Sequence, residues 1–337
     1  MYERLGVAVI NASPEQIGFA RLAGTDAFPD VQRERALRVP TESADATDYS
    51  HACERVTTWG LQSTRVDTCE YFGAGTRVCV LDSGIELDHP DIRPTLARSF
   101  TDVPDVGDRV GHGTHCAGTI AGSRVPSCGP RYGIACETEL FVGKVFDGSS
   151  NWSRSMDGQL IAGINWAVEQ RCDIVSMSFG EAAGAAYSAV FERVARRALE
   201  AGTLLIASAG NDSQRLQQPP LRLPVSHPAN CPSIMAVAAL DAELGVVISS
   251  NAGLHAHGGA IDLAAPGANI YSAWRSPALH ARRHGTSMAV PFVAGIAALW
   301  AEATGLRGRA LRNLLLEKAR PLPLSPDDVG HGLVQAP

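Results

Sequence analysis

The sequence contains no run of basic residues. Lys and Arg number 29 against 35 Asp and Glu, for a net charge of -6 at pH 7, which argues against nucleic acid as a main partner. It also lacks an apolar run of the roughly 18–20 residues that a membrane span needs. The longest such run, residues 288–301, falls short, and no membrane partner is expected. No signal peptide is present, because the apolar stretch 6–10 is too short for an h-region. As it stands the chain reads as cytoplasmic, and as secreted if a leader has been trimmed. The 8 cysteines, at positions 53, 69, 79, 116, 128, 136, 172 and 231, form no CxxC and repeat no spacing, so they leave the redox compartment open. Cys79 and Cys116 lie in core-like runs and are expected as free, packed thiols. Cys128 and Cys136 either close a surface loop or stay reduced; the sequence does not decide. Internal repeats and low-complexity tracts are absent too.

What is there is ample core material. With 45% hydrophobic and 19% charged residues in 337, the chain is long enough for one large domain or two smaller ones. From residue 77 onward strands and helices alternate. Residues 78–81 form a continuous apolar run, as in a parallel strand buried on both faces. Residues 112–122 read as a small-residue helix, and 140–145 as a strand. Ile161, Ile164, Ala167 and Val168 recur at helical spacing, and 173–176 is a strand. Val190, Phe191, Val194 and Ala198 mark another helix; 204–207 and 234–238 are strands. This rhythm predicts an open α/β sheet, mostly parallel, with helices on both faces.

The chain is organised around His284-Gly285-Thr286-Ser287-Met288-Ala289-Val290-Pro291, followed at once by the apolar run 292–300. This predicts a buried helix with Thr286 as its cap and Ser287 in its first turn. There free N–H groups and the helix dipole favour a developing negative charge. Pro291 is expected to be tolerated as a first-turn residue. A serine hydroxyl needs a base, and the base an orienting acid. Candidates come in a fixed order: Asp82 at the end of the apolar strand Val78-Cys79-Val80-Leu81, and His112 opening Gly111-His112-Gly113-Thr114-His115-Cys116-Ala117-Gly118. His112, His115 and Cys116 are also metal-ligand types. No HExxH pattern supports zinc, and His115 is expected as a packed core histidine.

The order Asp82, His112, Ser287, in these three surroundings, resembles the subtilisin-like (subtilase) serine proteases, from about Trp59 to the C-terminus. The resemblance implies a three-layer α/β fold with a mostly parallel central sheet. It implies a serine endopeptidase working through an acyl-enzyme, with a protein or peptide substrate bound as an extended strand. Asp82 would orient His112, His112 would act as general base, and Ser287 would be the nucleophile. Asn211, in Ala207-Ser208-Ala209-Gly210-Asn211-Asp212, and the Ser287 N–H would hold the oxyanion. Ser178, Phe179 and Gly180 would form one wall of the cleft; Ala207, Ser208, Ala209 and Gly210 another. Gly148-Ser149-Ser150 would be the opposing edge strand, with Trp152 walling a further pocket. Asp212 would sit at the rim of the first pocket and tolerate Lys or Arg there. No cofactor is required. Structural calcium is allowed for by the relatives, and Asp88, Asp91, Asp102, Asp105 and Asp108 are available in loops. No EF-hand spacing appears, and no metal residue is assigned.

Residues 1–45 stand apart. Residues 6–11 read as a strand. Ser13-Pro14-Glu15-Gln16 starts a helix, with Ser as N-cap, Pro at N1 and Gln at the capping-box position. It would run to about Leu22 and end at Gly24, and a second extended piece follows near 30–34. This order resembles the latter half of a subtilase propeptide, which implies an intramolecular inhibitor. Residues 46–58 read as a linker and processing region, within a polar stretch beginning at Thr41, and 59–337 as the catalytic domain. The tail 330–336 resembles the segment that closes such domains, with no further domain appended. The alternative is an idle or inhibited peptide-binding scaffold with the N-terminal segment in its cleft. An α/β-hydrolase would need GxSxG and the order Ser, acid, His; a dinucleotide site would need GxGxxG. Neither is found.

Overall fold

The computed structural model describes residues 1–10, 32, 34–38, 56–148, 154–254 and 259–337. The helix expected from Ser13 and the polar stretch 41–49 lie outside the described residues. The elements are β1 (Ala36–Arg38), α1 (Trp59–Ser63), β2 (Arg77–Asp82), β3 (Leu96–Ser99), α2 (His112–Ala121), β4 (Glu139–Lys144), β5 (Arg154–Met156), α3 (Asp157–Glu169), β6 (Ile174–Met177) and α4 (Ala189–Glu200). There follow β7 (Leu204–Ser208), β8 (Met235–Leu240), β9 (Leu263–Pro266), the hairpin β10 (Ile270–Ala273) and β11 (His280–Arg283), then α5 (Thr286–Thr304), α6 (Gly308–Lys318) and α7 (Pro326–Val329).

The main sheet has 7 strands in the order β3-β4-β2-β6-β7-β8-β9, and all its pairs are parallel. The strands β6, β7 and β8 are buried along their whole length, as strands covered on both faces must be. Alternation sorts the side chains. Val78 and Val80 join the core under α2 and α5, whereas Cys79 and Leu81 join the one under α3 and α4. The chain lays down β2, adds β4 on one side of it and later β6 on the other. That reversal opens a crevice beyond the carboxyl ends of the strands, where open α/β sheets place their sites. Asp82 is the last residue of β2.

Helix α5 is the axis of one core. It is apolar all round, the pattern of a buried helix, and Gly305, at φ 73, ends it. By length and composition it could cross a membrane, but 83% of its apolar window is buried inside the fold.

The N-terminal segment is docked on this domain. Residues 6–10 do not form the expected strand. Tyr2 bridges to Val7 around a short 3-10 turn, which Gly6 closes in the left-handed region at φ 65. Leu5 is fully buried in the core that contains Phe191, Val194 and Ala198 of α4. Of the extended piece expected near 30–34, residues 30, 31 and 33 lie outside the described residues; the strand described after it is 36–38. So short a piece is a strand only through its partners: β5, paired antiparallel, and Gly180. The Glu34 carboxylate accepts the N–H of Gly158 at 2.8 Å, complementing the positive end of α3. The described cysteines are free, Cys79 and Cys116 buried as expected; Cys128 and Cys136 are not bridged.

Gly295 of α5 faces Ile134 so closely that a Cβ there would lie 2.8 Å from the Ile134 Cβ. Gly295→Ala is therefore expected to destabilise the fold by about 1–3 kcal/mol through overpacking, read as a lowered midpoint in urea unfolding with an unchanged slope.

Candidate active site

Three strand ends and two helix starts meet at the crevice. Asp82, fully buried at the end of β2, accepts the Nδ1–H of His112 at 2.7 Å. It also accepts the N–H of Ser83 at 2.7 Å. His112 is the first residue of α2 and is itself buried. Burial favours the neutral ring, but the charge of Asp82 outweighs it and holds the imidazole well above its ordinary value. His115 turns away, its Nε2 bonded to the carbonyl of Ile270 at 3.0 Å. Burial pushes it down to about 3, so it is a neutral core histidine. Cys116 lies beneath His112, its thiol raised to about 11 by burial and hence protonated. His112, His115 and Cys116 therefore do not converge as a ligand set.

Ser287 is the second residue of α5 and fully buried. Thr286 is not the cap. Gly285 is, at φ 127, with its absent side chain leaving space for the Asn211 amide 2.9 Å from where a Cβ would stand. Thr286 ties the helix start sideways: its N–H and its hydroxyl both donate to Asn211 Oδ1 at 2.9 Å. With Oδ1 so held, the donor end of the amide, Nδ2, is set beside Gly285.

Pro291 is the sixth residue of α5 rather than a first-turn residue. The N–H it lacks is the one that would bond the carbonyl of Ser287. That carbonyl is taken instead by the hydroxyl of Ser178 at 2.9 Å and by the thiol of Cys116 at 3.7 Å. In return, the Ser287 hydroxyl donates to the carbonyl of Ser178 at 3.1 Å. Ser178 thus acts with its side chain as well as its backbone, a role the sequence does not announce.

Asp108 is another missed residue. Grouped above with loop aspartates open to calcium, it is buried and accepts five bonds. Its Oδ1 takes the hydroxyl of Ser83 (2.9 Å) and the N–H groups of Val110 (3.0 Å) and Gly111 (2.7 Å). Its Oδ2 takes the N–H (2.8 Å) and hydroxyl (2.7 Å) of Thr114. Ser83 then accepts the N–H of Gly113 at 2.9 Å. The loop entering α2, and so the position of His112, hangs on this carboxylate. Its sequence signal is an acid before the helix with a Thr two residues past the His, the makings of a side-chain cap.

Asp91 is likewise committed. It accepts the N–H of Ser127 (2.6 Å), the phenol of Tyr132 (2.7 Å) and Nε2 of His280 (2.9 Å). His89, Asp91 and His280 bring ligand-type atoms within 4.8 Å of one another. The His89 Nε2 already meets the carbonyl of Leu279 at 2.6 Å, and its Nδ1 accepts the N–H of Asp91 at 3.1 Å. Hydrogen donors surround Asp91 where a hard cation would need oxygen acceptors, so calcium does not fit there.

The residues expected to wall the cleft are placed by three elements. Ser178, Phe179 and Gly180 follow β6 directly, but the Phe179 ring is in the core against Phe146, centroids 5.0 Å apart, so only its backbone faces the cleft. Ala207 and Ser208 end β7 and lead to Ala209 and Gly210; Ala207 and Ala209 are fully buried. The Ser208 hydroxyl reaches the Phe179 carbonyl at 3.4 Å. Gly148 is not in a strand: its φ of 71 breaks the extended conformation. Ser149, Ser150 and Trp152 lie outside the described residues. The strand that pairs across the cleft in the described chain is β5.

Between Gly180 and β5 runs β1. Arg38 donates its N–H to the carbonyl of Gly180 and accepts the Gly180 N–H, both at 3.1 Å, while Ala36, Leu37 and Arg38 pair with Met156, Ser155 and Arg154.

Two substitutions probe the positioning groups through the reactivity of Ser287 towards a fluorophosphonate. Asp108→Asn turns one acceptor end into a donor facing donors, and should slow labelling at least tenfold with folding stability lowered by about 1–3 kcal/mol. Pro291→Ala supplies an N–H that competes with Ser178 for the Ser287 carbonyl. It should slow labelling while leaving the fold at least as stable; unchanged labelling would mean that Ser178 does not set the serine's position.

The comparisons with known proteins agree with this geometry. The model of the Subtilase family (Peptidase_S8) matches residues 73–332. The chain is 37% identical over 283 residues to the thermostable alkaline protease of Halalkalibacterium halodurans, covering 82% of this chain and 72% of the relative. It is 30% identical over 240 residues to subtilisin DY of Bacillus licheniformis, covering 71% and 81%, and 30% identical over 302 residues to the M-protease of Shouchella clausii, covering 88% and 70%. With the match spanning every strand of the parallel sheet and both helices that begin at the crevice, the chain belongs to the subtilase family.

Proposed function

We propose that this serine endopeptidase cleaves peptide bonds through Asp82, His112 and Ser287, and that its N-terminal segment is an intramolecular inhibitor. The observation that carries the catalytic reading is the buried 2.7 Å bond from His112 to Asp82 at the crevice that also receives the first turn of α5.

In the proposed cycle the Ser287 hydroxyl leaves the Ser178 carbonyl and gives its proton to His112 Nε2 as its oxygen attacks the scissile carbonyl. Asp82 fixes the tautomer and stabilises the imidazolium. Asn211 Nδ2 and the Ser287 N–H hold the oxyanion, helped by the dipole of α5. His112 then protonates the leaving amine, and water repeats the sequence on the acyl-enzyme. The substrate lies as an antiparallel strand along Ser178–Gly180, the mode in which main-chain bonds give affinity and pockets give selectivity. The chemistry needs no cofactor.

The inhibitory reading rests on β1. It already makes the main-chain bonds to Gly180 that a substrate strand would make. Its Leu37 is fully buried, and Glu34 anchors it to α3. An idle scaffold would look the same in its cleft, and differs only in what Ser287 does.

The first test compares intact mass and fluorophosphonate labelling of wild type and Ser287→Ala. Wild type should gain one adduct and the variant none. Wild type shortened near residues 41–58 beside a full-length variant would make the segment a self-cleaved one. A folded wild type that takes no label and hydrolyses no casein, before and after limited proteolysis between residues 41 and 58, would sink the protease reading in favour of the scaffold. Asn211→Ala should lower kcat about 10²–10³-fold with KM little changed.

The pH profile carries a sign. Only neutral His112 accepts the serine proton, so kcat/KM rises as pH passes through its pKa, above the ordinary 6.5. Asp82→Asn removes the charge that raises it. The acid limb should move down in pH while the rate falls about 10⁴-fold; a limb that stays in place would assign it to another group.

A further inference from the structure

We infer that Glu181 and Asp212 are specificity residues that select basic side chains on the peptide strand in the cleft, with Asp212 reading the residue paired to Gly180. This rests on the reading of β1 as a strand in the substrate's place. The segment Arg35-Ala36-Leu37-Arg38 meets the domain as basic, small, apolar, basic. Leu37 is buried and fixes the register. Arg38, whose backbone makes both bonds to Gly180, points a guanidinium nitrogen at Asp212 Oδ1, 3.7 Å away. Arg35 places its Nη1 3.3 Å from Glu181 Oε2 and 2.9 Å from the Ala186 carbonyl.

The two carboxylates belong to the walls themselves. Glu181 follows Gly180, and its N–H is fixed on the His227 carbonyl at 2.8 Å. Asp212 follows Asn211. Its Oδ2 accepts from Asn251 Nδ2 at 3.2 Å and Ser226 at 3.4 Å, and its N–H donates to Asn251 Oδ1 at 3.0 Å. With one oxygen and the backbone held by the scaffold, the other oxygen is directed at Arg38 with little side-chain entropy left to lose. This differs from a first-pocket tolerance for Lys or Arg: the basic residue is the one hydrogen-bonded to Gly180. Both pairs are partly exposed, with side-chain exposures of 42%/29% and 24%/32%, so each favours a basic residue over a neutral one by about two- to fivefold, and over an acidic one by more. The substrate class is an extended segment with an apolar residue flanked by arginines.

The test uses the full chain. Amide hydrogen exchange over residues 34–38 is compared in wild type, Arg38→Glu, Asp212→Arg and the double variant. Each single reversal should speed exchange about threefold or more, and the double should return to within about twofold of wild type. In parallel, a peptide with the sequence of residues 33–44 competes with labelled casein. Placing Glu at the position of Arg38 should raise its half-inhibitory concentration about tenfold, and Asp212→Asn should shrink that ratio to about three or less. Equal competition by the two peptides while casein is still hydrolysed, or reversals that add instead of cancelling, would overturn the assignment and leave the protease intact. Absence of both casein hydrolysis and Ser287 labelling in wild type, also after limited proteolysis between residues 41 and 58, would instead remove the protease reading, and the exchange arm would still decide the ion pair.

Discussion

The carbonyl of Ser287 has no amide to bond within its own helix, because the residue one turn on is Pro291. The free acceptor is filled from outside by the Ser178 hydroxyl, and the serine's own hydroxyl returns a bond to Ser178. This exchange joins the start of the central helix to the end of β6. Since β6 also leads directly into Ser178–Gly180, the first turn of α5 and that stretch of backbone are fastened to each other. A helix interior normally loses stability at proline; here the loss is offset by a bond that sets the reactive group.

Charge is handled in the same way on the other side of the crevice. Two carboxylates, Asp82 and Asp108, are buried there, and an isolated buried carboxylate is costly. Asp108 is surrounded by five donors, two from side-chain hydroxyls and three from backbone, while Asp82 is shared between His112 and the Ser83 amide. Ser83 links the two, donating to Asp108 and sitting next to Asp82 in sequence. The histidine is therefore held at both ends, through its ring by Asp82 and through its helix by Asp108.

Most of the sheet was legible because its strands are continuous apolar runs. Residues 78–81 and 204–207 are apolar throughout and read as strands bounded by turn signals, and the small-residue stretch after His112 read as a close-packed helix. The order Asp82, His112, Ser287 pointed to the family before any geometry was available. What escaped were features that depend on partners distant in sequence. Ser178 is an ordinary serine until Pro291 leaves a carbonyl for it. Asp108 looks like a loop acid until Thr114 and Ser83 converge on it. Thr286 has the composition of a cap, yet the left-handed Gly285 takes that place and frees it to hold Asn211. Gly148 was misread because an edge strand is defined by its neighbour, and the neighbour, β1, lies in the segment least marked by periodicity.

On the inhibitory reading proposed above, the strand β1 is a ligand that dilution cannot remove. Being part of the same chain, it faces Gly180 and β5 at an effective concentration that does not depend on how much protein is present. A free peptide of equal intrinsic affinity competes poorly against that. Once the connection is cut, the same contacts become an ordinary bimolecular equilibrium, and the occupancy of the cleft falls with the concentration of protein around it. On that reading weak, partly exposed pairs such as Arg38–Asp212 suit the arrangement: buried Leu37 sets the register, and the pair favours one side chain in the cleft without holding the segment there once it is cut.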